Sequence, residues 1–429
     1  MNITFLVIVL AAVIVAGVRQ ALDPASGAME ALGTGLVQQA QDAVTLGIGL
    51  VGAMALFQGV LKVAEAAGLL AGLARLLRPL LHRLFPDVPP DHPAMGAMVM
   101  NVAANMLGLS NAATPFGVRA MQALDRLNPR KGTATNAMVL FLAINTANVT
   151  LLPTHVMALR AAAGSHDPAA VILTTLIATV FATATAILVA KVGNRWWPAG
   201  DSSSSTPHPN LPPQGGKESE VLPLPLEGGG LGWGWKSILA TALFLIFLAA
   251  ILLWGRVISP WILPLLLAGV LLLGAIKRVP IYEAFVKGAK DGLWISLRII
   301  PYLIAVLVAV GLFRTSGAMD LLIAPLGRAL APLGLPAEAL TMAVLRTLSG
   351  SASFGYLATL LKDPAIGPDS YLGMLVSTLY GSSETTFYVL AVYFGAAGVR
   401  RIRHALVAGL AADIVALIAA TIVCGVLYR

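Results

Sequence analysis

A single acidic residue stands among hydroxyl side chains in the segment Ser377–Tyr388, which reads S-T-L-Y-G-S-S-E-T-T-F-Y. Apolar runs flank this segment on both sides, so a membrane helix carrying it would place Glu384 at bilayer depth. An ionised carboxylate there costs roughly 2.5–3.5 kcal/mol even on the lenient insertion scales, and it therefore rarely faces lipid. The sequence predicts that Glu384 faces a polar cavity, where it could bind a ligand or a coupling ion.

The helix that carries Glu384 is expected to break. The run Gly-Ser-Ser is a poor helix interior, which predicts a break over Tyr380–Ser383. Unwound backbone at membrane depth is tolerated where it lines a polar cavity. We therefore predict that this segment forms half of a substrate site.

Three other polar segments supply the remaining candidates. Asn101 and Asn105 are four residues apart, so they share one face of a helix. Amides and hydroxyls with one acid and one base suit a neutral or weakly charged polar solute, such as a nucleoside or a sugar-like molecule. The predicted substrate-binding set comprises Asn101, Asn105, Asn111, Thr114, Asn145, Asn148, Thr150, Arg346, Ser349, Ser351, Ser353, Tyr380, Ser382, Ser383, Glu384 and Thr385.

Structural roles stay open for the same residues. Asn, Ser and Thr in membrane helices often serve only as hydrogen-bonding contacts between helices, worth about 0.6 kcal/mol each. Arg346 and Glu384 could form a structural ion pair instead of a ligand or coupling site. Asp413 is a second candidate buried acid, or a residue near the interface. His155, just after Pro153, is more typical of a helix end than of a proton relay.

Composition places the chain in the membrane. Of its 429 residues, 58% are hydrophobic and 11% are charged, against about 25% charged in an ordinary soluble domain. The net charge of +8 is spread over short loops, so it indicates topology and not nucleic-acid binding. The single cysteine, Cys424, excludes a disulfide framework. We predict an all-α polytopic membrane protein.

Nine apolar runs and two broken polar stretches make up the predicted topology. The broken stretches Met95–Met121 and Ala339–Leu361 are too polar to span, and loop charges require each to enter and leave on one side. They are predicted re-entrant hairpins, with tips at Gly108–Pro115 and Ser349–Gly355. The spans are Ile3–Val18, Val44–Val60, Ala137–Leu159, Ala169–Val192, Ser237–Trp254, Trp261–Ile276, Leu293–Phe313, Tyr371–Phe394 and Ala405–Leu427.

The chain repeats one module twice. Residues 198–236 are rich in Pro, Gly and Ser without any period, which predicts a disordered linker between the modules 1–197 and 237–429. The amphipathic segment Leu69–Phe85 has a counterpart in Leu321–Leu335. The polar span Asn136–Gly164 aligns without a gap on Tyr371–Gly398, so that Asn148, Val149 and Thr150 fall on Ser382, Ser383 and Glu384.

Loop charges predict that the two copies are inverted. Basic residues precede the polar span in the first copy, at Arg126, Arg130 and Lys131, and follow it in the second, at Arg400, Arg401 and Arg403. Lys and Arg mark cytoplasmic loops. The copies should therefore form an inverted repeat, an architecture common in secondary transporters, with the N-terminus cytoplasmic and the C-terminus periplasmic or extracellular.

Signatures of enzymes are missing from the sequence. It contains no G-x-S-x-G elbow, H-E-x-x-H pair, Walker lysine loop or Cys/His cluster. We expect neither an enzyme nor a bound cofactor or metal.

The broken stretches resemble two known families. The first resembles spore maturation protein A through Asn105–Gly117, N-M-L-G-L-S-N-A-A-T-P-F-G, and the following N-P-R-K-G-T-A-T-N-A-M-V-L-F-L-A-I-N-T. The second resembles spore maturation protein B through Ser349–Tyr356, S-G-S-A-S-F-G-Y, and Tyr380–Gly395, Y-G-S-S-E-T-T-F-Y-V-L-A-V-Y-F-G. The chain is thus similar to a fusion of both, each with the "gate" or nucleoside-recognition domain also reported in concentrative nucleoside transporters.

The resemblance implies a bacterial inner-membrane protein that holds a ligand between hairpin tips and broken helices. Two functions follow as hypotheses. One is a secondary transporter or channel for a small polar, nucleoside-like solute, coupled to H⁺ or Na⁺ and working as a monomer or a homo-oligomer in the lipid bilayer. The alternative is a scaffold that does not transport and instead regulates spore or envelope maturation.

Overall fold

The computed structural model describes residues 2–197, 235–318, 321 and 335–429. Within these ranges the chain is almost entirely helical, and its extended pairing is an isolated bridge between Thr133 and Arg401. The predicted linker, apart from its last two residues, and most of the predicted segment Leu321–Leu335 lie outside the described residues.

Eight helices precede the linker and seven described helices follow it. The first eight are α1 (Asn2–Leu22), α2 (Ala28–Ala66), α3 (Leu69–Leu84), α4 (Pro93–Met106), α5 (Ser110–Arg126), α6 (Asn136–Thr146), α7 (Thr154–Ala162) and α8 (Val171–Gly193). The others are α9 (Trp235–Ile276), α10 (Ile281–Thr315), α11 (Ala337–Leu348), α12 (Gly350–Lys362), α13 (Tyr371–Ser382), α14 (Thr386–Val389), which continues as a π-helix over Leu390–Phe394, and α15 (Ala405–Tyr428).

Five helical stretches of the described ranges are long and apolar enough to cross a bilayer. A hydrocarbon core of about 30 Å needs about 20 residues of helix at 1.5 Å per residue. The five are Pro24–Ala66, Pro168–Gly193, Leu253–Ile276, Ile281–Thr315 and Ala405–Tyr428. The protein is an all-α polytopic membrane protein, as the composition predicts.

The predicted pair of spans Ser237–Trp254 and Trp261–Ile276 is different in the structure. Both runs belong to α9, a single helix of 42 residues that continues through Gly255–Pro260. The intervening residues include Arg256 and the pair Ser259-Pro260, which favours a turn, yet the helix continues through both Pro260 and Pro264. The predicted separation into two spans is therefore not seen, and the total of nine is not confirmed.

Helix α2 of the first module packs against its counterpart in the second module, α10, in the opposite direction. Gly35 of α2 faces Thr315 of α10, whereas Gly59 faces Phe285, so α2 and α10 are antiparallel. Small residues allow this close approach: a Cβ on Gly292 would lie 2.5 Å from the Met54 carbonyl oxygen. Glycine and other small residues at helix interfaces in membranes have this effect in general.

The last helices of the two modules, α8 and α15, are also antiparallel. His404, at the start of α15, contacts the Ala190 carbonyl oxygen near the end of α8, at 2.8 Å. At the other end, Ile177 of α8 packs with Val423 and Leu427. Equivalent helices of the two modules therefore run in opposite directions, in agreement with the inverted repeat predicted from the loop charges.

Two helical hairpins correspond to the two broken polar stretches. The helices α4 and α5 are joined by a short turn at Leu107–Leu109, in which Gly108 adopts a left-handed conformation (φ 72°). Helices α11 and α12 are joined at Ser349, whose side chain caps α12 by accepting the Ala352 N–H at 3.2 Å. Both tips are shorter than predicted. In the first, the chain turns at Gly108 and α5 begins two residues later, at Ser110. In the second, Ser349 caps α12, which begins at the next residue. That each hairpin leaves the membrane on the side where it entered stays a prediction.

Helix breaks occur in both polar spans. The predicted span Ala137–Leu159 is divided into α6 and α7 by residues 147–153. The predicted break Tyr380–Ser383 is shifted to residues 383–385, since α13 continues through Ser382. The Ser382 hydroxyl donates to the Leu379 carbonyl of its own helix at 3.1 Å, and the chain becomes extended only at Ser383 (φ −144°, ψ 161°).

Contacts between modules close the two ends of the bundle. At one end, Arg160 of the first module binds Asp369 of the second (2.9 Å), and within the second module Arg314 binds Asp363 (2.6 Å). The Ala365 N–H, together with the Arg314 guanidinium, lowers the pKa of Asp363, which lies in the loop between α12 and α13. At the other end, Arg403 donates to Asn136 at 2.8 Å. The hairpin α11–α12 ends at Lys362, directly before Asp363, and therefore beside the ion pair of Asp363 with Arg314.

Candidate functional site

A cavity of about 510 Å³ lies where both hairpin tips meet both helix breaks. Backbone hydrogen bonds hold these four segments together. The Leu151 N–H of the first break donates to the Met106 carbonyl beside the first tip, at 2.8 Å. The Glu384 N–H of the second break donates to the Thr146 carbonyl at 2.9 Å, which joins the two modules.

Most of the predicted substrate-binding residues line this cavity. In this set, the residues of the first module are neutral, and the two charged residues, Arg346 and Glu384, belong to the second module. The lining residues from the predicted set are Asn105, Asn148, Thr150, Arg346, Ser349, Ser351, Tyr380, Ser383, Glu384 and Thr385.

Arg346 and Glu384 form an ion pair in which Glu384 is much more exposed than Arg346. The Arg346 Nη2 lies 3.5 Å from the Glu384 Oε2, longer than the roughly 2.8 Å of a charge-assisted hydrogen bond. The Arg346 side chain is 9% exposed, whereas that of Glu384 is 46% exposed. Glu384 can therefore accept a hydrogen bond from a solute without giving up a short bond to arginine.

The Arg346 guanidinium connects the second hairpin with the second break. It donates to the Ser383 carbonyl and, at 3.4 Å, to the Thr385 hydroxyl. Its face covers the Tyr380 ring at 4.5 Å, a cation–π contact. The Tyr380 ring in turn packs against Phe354 of α12, with the ring centroids 5.6 Å apart. One side of the cavity thus combines aromatic surface with fixed charge.

A second group of polar residues lies behind the cavity. Asn145 Oδ1 accepts from Asn105 Nδ2 at 3.0 Å and from the Tyr393 hydroxyl at 3.3 Å. Asn101 Nδ2 donates to Tyr393 at 3.2 Å and to the Ala113 carbonyl at 2.8 Å. Asn101 and Asn145 are buried and do not line the cavity. They hold the first hairpin to α6 and to the π-helical segment, and only Asn105 of this group reaches the cavity.

The remaining predicted residues are placed differently. Ser353 and Ser382 are buried, and their hydroxyls donate to carbonyls of the preceding helical turn. Thr114 is half-buried on α5, away from the cavity lining. Asn111 is in α5, but its side chain lies outside those described. For Ser353 and Ser382 the structure favours a local role, because neither hydroxyl faces the cavity.

Three residues outside the predicted substrate-binding set are part of the site. His155 is the second residue of α7 and lines the cavity, although its place after Pro153 favoured a helix end over a proton relay. Tyr388 also lines the cavity. Tyr393 connects Asn101 with Asn145 and stacks on Phe141. The sequence signal for Tyr393 was a phenolic hydroxyl group in an otherwise apolar run.

In the described ranges, no three His, Cys, Asp or Glu side chains are grouped so as to hold a metal ion.

Gly117, in the Phe-Gly pair of the first hairpin, is predicted to be intolerant of a side chain. A Cβ there would overlap the Tyr393 ring and hydroxyl. We expect Gly117→Ala to lower the free energy of unfolding by about 1–3 kcal/mol, a typical cost of overpacking, measured by thermal unfolding in detergent. Gly96→Ala on α4 is the matched control, because a Cβ there meets open space. Equal melting temperatures for the two variants would contradict the predicted contact.

Comparison with known proteins agrees with this arrangement. Residues 48–195 and 296–400, together more than half of the chain, match the Gate family, described as nucleoside recognition. Spore maturation protein B of Bacillus subtilis (strain 168) is 45% identical over 166 residues, which cover 39% of this chain and 92% of that protein. Spore maturation protein A of the same organism is 39% identical over 164 residues, which cover 38% of this chain and 84% of that protein.

No solved structure matches the chain at a significant level. The two matched regions include α4–α8 and α11–α14, the elements that surround the cavity. The chain therefore belongs to the Gate, or nucleoside-recognition, family of membrane proteins.

Proposed function

We propose that this protein is a secondary transporter for a small polar solute, which binds between the two hairpin tips and the two helix breaks. The observation that supports it is the cavity at the junction of the inverted modules. Its volume of about 510 Å³ lies within the roughly 300–1,000 Å³ of small-molecule pockets. Sites at the interface of inverted repeats, built from discontinuous helices, are characteristic of secondary transporters.

The lining indicates the class of solute. Amide and hydroxyl groups from Asn105, Asn148 and Thr150 can exchange hydrogen bonds with a polyhydroxylated or heterocyclic molecule. Tyr380 and Phe354 provide a surface on which a flat ring can pack. A nucleoside-like solute combines both features, and the description of the family points the same way.

Thermal unfolding against a panel of nucleosides, sugars, amino acids and small acids tests the proposal. A ligand at about a hundred times its dissociation constant stabilises the protein by about 2.7 kcal/mol, a shift of several degrees. We expect one chemical class to stabilise the wild type but not Glu384→Gln. Glu283→Gln, at an exposed position of α10, is the matched control and should respond like the wild type.

A scaffold without transport activity is the second candidate function. The relatives are named for spore maturation and not for transport, which favours it. If no member of the panel raises the melting temperature of the wild type, and Glu384→Gln merely lowers it, Glu384 is structural and the scaffold replaces the transporter.

A further inference from the structure

Asp413 is an acid of the membrane interior that lies outside the cavity lining. It is a residue of the otherwise apolar helix α15. Its Oδ2 accepts from the Thr386 hydroxyl at 2.8 Å and contacts the Thr347 hydroxyl at 3.1 Å. Thr347 follows Arg346 on the second hairpin, and Thr386 follows Thr385 of the second break. The carboxyl group therefore connects α15 with the two elements that carry the charged side of the cavity.

The number of hydrogen atoms available for these contacts differs between the protonated and the ionised form of the carboxyl group. The Thr347 hydroxyl has one hydrogen, yet its oxygen is 3.1 Å from both the Ala343 carbonyl and Asp413 Oδ2. An ionised carboxylate can only accept, so one of these contacts would lack a hydrogen. A protonated Oδ2 can donate to Thr347 while Thr347 donates to Ala343 and Thr386 donates to Oδ2. Every contact then has its own hydrogen.

The other carboxyl oxygen points to the same form. Asp413 Oδ1 is buried and accepts no hydrogen bond from the described residues. Leaving a charged oxygen unpaired costs more than leaving a neutral carbonyl oxygen unpaired. In the structure, these contacts fit the neutral acid better than the carboxylate.

Charged and titratable groups lie on the second hairpin and the second break, which contact Asp413, and on the other helices packed against α15. Arg346 of α11 is the cation that acts on it, and Ser383 is a polar neighbour. Glu384 of the same break faces the cavity. The other helices packed on α15 bring Tyr371 and Tyr380 on α13, Lys191 near the end of α8 and Arg256 on α9, while α6 has no titratable residue.

We propose that Asp413 is the proton-binding residue of this protein and couples proton transfer to the cavity through Thr347 and Thr386. The coupling to transport rests on the proposed function, whereas proton binding does not. Loss of the proton leaves a carboxylate that has too few donors and lies near Arg346. Rearrangement of Arg346 toward Asp413 would release its contacts with Ser383, Thr385 and Glu384. Protonation and the shape of the cavity are thereby linked.

Infrared difference spectroscopy during a pH titration tests proton binding without any solute. We expect the wild type to show the high-frequency carbonyl stretch of a buried protonated carboxyl group, which persists at pH values where the exposed carboxyl groups are ionised and disappears reversibly as the pH rises further. Asp413→Asn should remove this band, whereas Glu384→Gln should retain it. A band that persists in Asp413→Asn, or is lost only in Glu384→Gln, would overturn the proposal. If Asp413→Asn does not fold, Thr386→Val, which removes one hydroxyl from the carboxyl group, must shift the pH at which the band disappears.

Transport in proteoliposomes separates this proposal from the proposed function. Once the panel names a solute, its uptake by the wild type should be accelerated by a proton gradient, and uptake by Asp413→Asn should not. Uptake driven by a sodium gradient alone would refute the coupling role and leave the transporter intact. If no solute is found but the infrared band depends on Asp413, proton binding is supported and the transporter fails.

Discussion

Replacing Arg346 by methionine is expected to lower the free energy of unfolding by about 2–3 kcal/mol. The change removes the donors that hold Ser383 and Thr385 to the second hairpin, the contact with Tyr380, and the cation beside Glu384. Breaking a buried ion pair costs about 3–5 kcal/mol. The expected loss is smaller, because Glu384 is 46% exposed and thus partly solvated. Thermal unfolding and solute binding should both show the loss.

The double variant Arg346→Met with Glu384→Gln isolates the electrostatic part. We expect it to be more stable than Arg346→Met alone, since glutamine does not leave an unpaired charge at bilayer depth. The coupling energy of the cycle should be about 1 kcal/mol. Arg314→Met is the matched control: Arg314 is 48% exposed in its ion pair, and exposed pairs contribute about 0.2–1 kcal/mol. Additive effects of the two changes would show that Arg346 and Glu384 act independently.

Replacing Arg160 by methionine should have the largest effect on stability, about 3–5 kcal/mol, the usual cost of breaking a buried ion pair. The Arg160 side chain is fully buried, yet it lies at the end of the bundle where loops of both modules meet. Its guanidinium donates to Asp369, Ser165 and the carbonyls of Asp167 and Pro368. Methionine fills part of the space but satisfies none of these acceptors.

Hydrogen exchange of backbone amides identifies which loops lose stability when Arg160 is replaced by methionine. Without Arg160, amides of the loop 165–170 in the first module and of the loop 363–370 in the second should exchange faster, because one side chain holds both. Arg400→Met is the control, since Arg400 is exposed and near the opposite end. An equal change in melting temperature for both variants, or faster exchange in one loop only, would contradict this role of Arg160.

Much of the fold could be predicted because apolar runs and loop charges are local signals. The repeat could be read from matched segments, and its inversion from Arg126–Lys131 against Arg400–Arg403. The structure agrees in the antiparallel direction of α2 with α10 and of α8 with α15. Most of the polar residues that line the cavity could also be predicted, since a polar residue at bilayer depth has few other places to lie.

The positions of the breaks could not be predicted, because tertiary contacts decide them. The chain leaves α13 where the Glu384 N–H finds the Thr146 carbonyl of the other module, 238 positions away along the sequence, and not at the weak helix former Gly381. The same applies to Asn101 and Asn145, whose burial behind the cavity depends on Tyr393. Local propensity contains no information about partners so distant in sequence.

The chemical difference between the two modules affects how a molecule is oriented in the cavity. The modules are inverted copies, but the first contributes amides, threonines and His155 to the cavity while the second contributes Arg346 and Glu384. A polar molecule in the cavity thus experiences an electric field with a fixed orientation relative to the bilayer. It should dock with one end preferred. In the proposed transporter, entry from opposite faces of the membrane would then follow unequal rates, although the two modules are inverted copies.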